Sequence, residues 1–275
     1  MASSDPNLIF GFGKFPHERN TVLPTAFDWV RNKGIDDGID KNLWRIHNDL
    51  YDLSKFNHPG GYDFLDLTRG TDVTELFESS HPNIEKARAL LSKYRVGAVS
   101  HPRNTAELTF DPNGFYCTLR ARAWKILEKA DLSPTSEITV LHDSLLAAFF
   151  VLMTVGTSSL NAYCDQYWIV FTTIAGFVLA LLANNAHNFW HKRNNWRMYS
   201  FDLTGHSSHE WRITHGYSHH VYPNTINDYE VTAFEPFVHY LPKPKHILLK
   251  ISTAVAMVVI FNLVMLMVVS AFELH

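Results

Sequence analysis

His58-Pro59-Gly60-Gly61 and, 23 residues on, His81 enclose the stretch Gly70-Thr71-Asp72-Val73-Thr74-Glu75-Leu76-Phe77. Two histidines on opposite sides of an apolar slot can fill both axial positions of a haem iron. An iron held that way has no open position, so it passes electrons rather than binding oxygen. There is no Cys-x-x-Cys-His, so the haem would not be covalently attached. Pro59 and the paired glycines allow a tight turn beside a flat ring. The bland reading is two surface histidines in a loop-rich domain.

Around this stretch, Leu43-Trp44-Arg45-Ile46 and Leu50-Tyr51-Asp52-Leu53 read as short strands about the turn His47-Asn48-Asp49. Thr71–Leu76 and Ile84–Leu91 read as short helices. From Leu-Tyr-Asp-Leu-Ser-Lys-Phe through His-Pro-Gly-Gly and Gly-Thr-Asp-Val-Thr-x-x-Phe to the second histidine, residues 42–97 resemble cytochrome b5. The resemblance implies an α+β haem domain that binds haem b through His58 and His81. Phe77, Leu65 and Leu76 are candidates for its walls, or generic core. Five acids and one base lie between the two histidines. They read either as an acidic rim that steers a basic redox partner or as an ordinary solvated face.

Residues 1–41 read as an irregular lead punctuated by glycine and proline, with Asp36-Asp37-Gly38 as a turn, and no apolar signal-peptide core follows Met1. Residues 98–137 read as a linker and an amphipathic helix over 115–130. Leu119, Ala123, Trp124 and Leu127 share one face beside Arg120, Arg122, Lys125 and Lys129. That suits a helix lying on a membrane surface and equally an ordinary domain helix.

Three apolar stretches follow: Leu145–Leu160, Tyr167–Ala183 and Ile251–Phe272. Their lengths suit spans, which need about 20 apolar residues. Lys and Arg flank the first pair but are missing from the loop Asn161–Gln166, so residues 1–137 and 184–250 are expected in the cytosol. The net charge of −3 gives no basic field for nucleic acid, and Cys117 and Cys164 are too few for a disulfide scaffold.

The 16 histidines are concentrated: seven lie between His187 and His220. His187-Asn188-Phe189-Trp190-His191 puts two rings at i and i+4 on one helix face. His215-Gly216-Tyr217-Ser218-His219-His220 adds three at i, i+4 and i+5. Imidazole suits iron, zinc and copper alike. These boxes, on the cytosolic side of apolar spans, resemble those of the membrane-bound fatty acid desaturase and hydroxylase family. The resemblance implies an all-α membrane domain over 138–275, non-haem iron held by His187, His191, His215, His219 and His220, and removal of hydrogen from an acyl chain. It also implies a cytochrome b5 reductase-type electron donor, an acyl-CoA or lipid-linked fatty acyl substrate, and the endoplasmic reticulum membrane. The family's third box, Gln/His-x-x-His-His, is not found before His275. Five matched ligands out of about eight imply a three-span domain cut short, with a weaker metal site. The alternatives are a membrane-tethered haem electron carrier and a nonenzymatic desaturase-like subunit. His206 and His209 match no box, and Asn184 and Asn185 stand next to the first one.

Overall fold

A computed structural model describes residues 24–103, 108–131, 136–157, 167–191, 195–225, 227–233, 240 and 244–255. The loop 161–166 and residues 256–272 of the third apolar stretch lie outside them. The chain divides into two compact units, Met1–Asp131 with Glu210–His275, and Leu132–His209.

The first unit begins with a helix where the sequence suggested irregular lead. Helix α1 spans Ala26–Asp37. Thr25 and Asp28 form a reciprocal capping box at its start, and Gly38, at φ 64°, closes its end in the left-handed conformation that favours glycine. The supposed turn Asp36-Asp37-Gly38 is therefore a helix terminus. Ala26, Trp29 and Lys33 face inward, and Lys33 is neutralised by Asp37 at 2.8 Å.

Strands β1 (Trp44–Ile46) and β2 (Asp49–Tyr51) pair antiparallel with Trp44 opposite Tyr51, and β3 (Arg95–Ala98) adds to β2. The sheet order is β1-β2-β3. Helices α2 (Asp63–Leu67), α3 (Thr74–Ser80) and α4 (Ile84–Leu91) follow the hairpin and precede β3. Trp29, Trp44, Ile46, Leu53, Val73, Phe77 and Ile84 form one core, each large side chain contributing about 1.5–3 kcal/mol by burial. This is the α+β domain expected from the sequence.

The acidic rim is not a rim. Asp72, Glu75 and Glu78 are buried. Arg103 bonds both Asp72 (2.7 Å) and Glu75 (2.5 Å). Arg120 and Arg88 bond Glu78 at 2.6 and 2.8 Å, and His47 joins at 2.7 Å. Of the two remaining acids, Asp63 pairs with Arg212 and Asp66 with Arg69. Arg103 comes from the stretch read as linker and Arg120 from the helix read as amphipathic, and both complete the domain. Helix α5, Phe115–Leu127, carries Arg120 inward and leaves Phe115, Leu119 and Ile126 exposed.

The second unit is a helical hairpin of α6 (Ser136–Thr157) and α7 (Trp168–Trp190). Both helices are long and apolar enough to cross a membrane. Near the hairpin's closed end a Cβ on Gly156 would lie 3.2 Å from Phe171 Cβ, so the helices approach closely there. At the other end a 3₁₀ stretch, Trp196–Thr204, packs on both helices. Buried His142 bonds Ser200 Oγ (2.8 Å) with its ring edge-on to Phe189, and Arg197 grips Asp143 through two bonds of 2.6 and 2.7 Å. Residues 247–255 are helical at the start of the third apolar stretch.

Candidate functional site

His58 precedes α2 and His81 caps the end of α3, and the chain between them, bridged to Arg45 at Asp72, brings the two rings together. Their centroids are 5.9 Å apart. Two imidazoles on opposite sides of one iron have centroids about 6 Å apart, from about 2 Å bonds and the radius of each ring. The donor set therefore fits a bis-histidine haem. The Nδ1 of His81 lies 2.8 Å from the Phe77 carbonyl, which can only accept, so Nδ1 carries the proton and Nε2 the lone pair. Burial first, then the neighbouring His81, lower the pKa of His58 and favour the neutral ring that a metal requires. Phe77 stands 4.8 Å from His81, Phe56 5.8 Å from His58, and Leu65 and Leu76 pack on the same core.

Gly60 is fixed by close approach. Its amide reaches His58 Nδ1 at 3.1 Å, and a Cβ there would fall 2.8 Å from His58 Cε1. Gly60→Ala must push the ring away, and haem affinity is expected to fall about 10- to 100-fold in a haem titration. Gly97→Ala, with no atom within 4 Å of the new methyl, is expected to leave it unchanged.

The first histidine box ends α7. His187 and His191, one turn apart, place their Nε2 atoms 3.1 Å from each other. The second box adopts a π-helix, Arg212–His219, led in by α8, Ser208–Trp211. Its i→i+5 bonding, continued by His220 N–H to His215 C=O (2.9 Å), aligns His215 with His220. Their Nε2 atoms are 2.9 Å apart. Two cis nitrogens on one metal, with bonds of about 2.1 Å at a right angle, stand about 3.0 Å apart. Each pair by itself thus has metal-ligand spacing.

Sequence reading missed the carboxylates behind the second box. Helix α9, Tyr229–Thr232, is capped by buried Asp228. Glu230 Oε1 lies 2.8 Å from His215 Nδ1, and Asp228 Oδ2 lies 3.0 Å from His219 Nδ1. A carboxylate on Nδ1 keeps the proton there and turns Nε2 into the ligand atom. His215, His219 and Glu230 also offer ligand atoms within 4.8 Å of one another. The run Asn227-Asp228-Tyr229-Glu230 was the available signal, with its acids nine and fifteen residues beyond their histidines. His206 bonds Thr204 Oγ1 (3.0 Å) against Phe201, and burial lowers its pKa.

The second box also has an inward face. Tyr217 and Tyr222 are buried in the haem-type domain, at Thr71 and Glu75 respectively. Arg212 reaches Asp63, and a Cβ on Gly216 would lie 3.2 Å from Phe64 Cζ.

The family of cytochrome b5-like haem/steroid binding domains matches residues 31–100. The chain is 34% identical over 233 residues to the cytochrome b5-related protein of Drosophila melanogaster, covering 84% of this chain and 51% of that one. It is 35% identical over 132 residues to the cytochrome b5-related protein of Drosophila virilis, covering 47% of this chain and 90% of the relative. It is 30% identical over 203 residues to acyl-lipid (8-3)-desaturase B of Dictyostelium discoideum, covering 68% and 42%. The chain spans about half the length of the Drosophila melanogaster relative and less of the desaturase. No solved structure matches it.

Proposed function

Because the chain belongs to the cytochrome b5-related protein family, we propose that it is a membrane-bound, b5-type electron carrier coupled to desaturation or hydroxylation of a fatty acyl chain. The observation that carries this reading is the shared unit of the haem-type slot and the second histidine box, seen in the burial of Tyr217 beside Thr71. When bound, haem b would supply single electrons and non-haem iron would activate oxygen.

The chain's own residues have distinct tasks. His58 and His81 hold the haem, with Phe77 and Phe56 beside their rings. His187, His191, His215, His219 and His220 are the iron ligands. Glu230 and Asp228 hold protons on Nδ1 of His215 and His219, which keeps Nε2 as the ligand atom. Helices α6 and α7 span the endoplasmic reticulum membrane, with the haem domain on the cytosolic side. The exposed Phe115, Leu119 and Ile126 of α5, among Arg122, Lys125 and Lys129, rest on the bilayer surface. The substrate is an acyl-CoA or a lipid-linked acyl chain.

The test is reduction of the purified haem-loaded chain by NADH and a cytochrome b5 reductase, followed at the haem bands. Rapid reduction, and reoxidation in air that quickens with iron loading and an acyl-CoA, is the expected result. A haem that the reductase cannot reduce overturns the proposal. Reoxidation indifferent to both iron and acyl-CoA reduces it to electron transfer alone.

A further inference from the structure

Tyr217 stands inside the second histidine box, two residues from His215 and two from His219. Its side chain leaves the histidines and enters the neighbouring domain. The hydroxyl meets Thr71 Oγ1 at 2.7 Å and donates to the Asp72 carbonyl at 3.2 Å. The ring packs edge-on against Trp29, with centroids 5.4 Å apart, and is 1% exposed. Tyr222, just past the box, donates to Glu75 Oε2 at 3.2 Å and is also buried.

The places it grips matter. Thr71 and Asp72 lead directly into α3, the helix that ends at His81. Asp63 and Phe64 lie on α2, the helix that follows His58, and they meet Arg212 and Gly216 of the π-helix. Both helices that flank the haem-type slot are therefore held by one π-helical segment. That segment, with His220 at its C-cap, presents His215, His219 and His220 on its more accessible side and Ile213, Tyr217 and Ser218 on its buried side. An element packed this way opens together with the core it completes.

Resting on the haem and iron reading above, we propose that Tyr217 is a positioning residue that couples the two centres. It ties the iron-binding turn to the helices that carry the haem ligands, so binding of haem orders the second histidine box before any iron arrives. Coupling of this kind is a difference in stability felt at both sites, and it is reciprocal.

Hydrogen exchange of the full chain in detergent, read by mass spectrometry with and without haem and with no iron added, tests this. In the unsubstituted chain, haem is expected to slow exchange at least about tenfold both in 74–80 and in 213–221. Tyr217→Phe keeps the ring and loses both hydroxyl contacts. It is expected to retain the haem spectrum and the protection of 74–80 while losing about threefold or more of the haem-dependent protection at 213–221. Tyr217→Ala is expected to abolish that protection. Haem-dependent protection confined to 74–80 in the unsubstituted chain overturns the coupling while leaving haem binding intact. A chain with no low-spin haem spectrum overturns the haem reading and the coupling with it.

Discussion

Replacing His81 with alanine is expected to abolish the low-spin spectrum of the bound haem and to lower haem affinity at least about a hundredfold. His81 caps the end of α3, and its orientation is set by the bond from Nδ1 to Phe77 one turn earlier. Without it, a bound haem would have only His58 of this pair to hold it. His58→Ala is expected to act in the same way from the other side. Absorption spectra of the two purified variants, titrated with haem, are the check. Survival of the low-spin bands in both would mean that other residues are the ligands. The fold should tolerate both changes better than it tolerates loss of a buried ion, since His58 and His81 are not fully buried.

Loss of Glu78 is the second large effect, and it acts on stability. The side chain is fully buried and answers Arg120, Arg88 and His47. Burial alone would raise its pKa, but bonds from His47, Arg120 and Arg88 override that and hold it at about 2. Glu78→Ala leaves Arg120 without its charge partner and is expected to cost about 3–5 kcal/mol. Glu78→Gln, which keeps part of the hydrogen bonding, should cost less. The sign with pH follows from the depressed pKa. The stabilisation is complete above the unfolded carboxyl value of about 4.3 and is lost as pH falls toward 2, up to about 3 kcal/mol in all. Denaturation of the full chain, followed by helical circular dichroism at pH 7 and at pH 3, measures both. A Glu78→Ala chain with unchanged stability at pH 7 would show the network to be dispensable.

The haem-type slot was legible because its signals are local. His-Pro-Gly-Gly, the hairpin about His47 and the helix ending at His81 each sit within a few residues. The histidine boxes were legible for the same reason, and the π-helix shows why i and i+5 converge as readily as i and i+4. Long-range pairing was not legible. Charge counted along 58–81 suggested an acidic surface, because nothing local shows Arg103 and Arg120 returning to neutralise Glu75 and Glu78. The carboxylates behind the second box escaped notice because their histidines lie a loop away, with no shared periodicity. Tyr217 carried no local signal, because its partners Thr71 and Trp29 lie far earlier in the chain. Helix α1 is a different failure: Thr25, Asp28 and Gly38 were present as cap signals and were outweighed by the glycines and prolines before them.

Under the proposed function, one chain would carry two kinds of iron, one in a bis-histidine haem and one on the histidine boxes. Iron and haem quantified together on the purified, metal-reconstituted protein test it most directly. More than one iron per haem, with the excess lost on His215→Ala plus His219→Ala while the haem remains, is the predicted result. Iron equal to haem in the unsubstituted chain would contradict it.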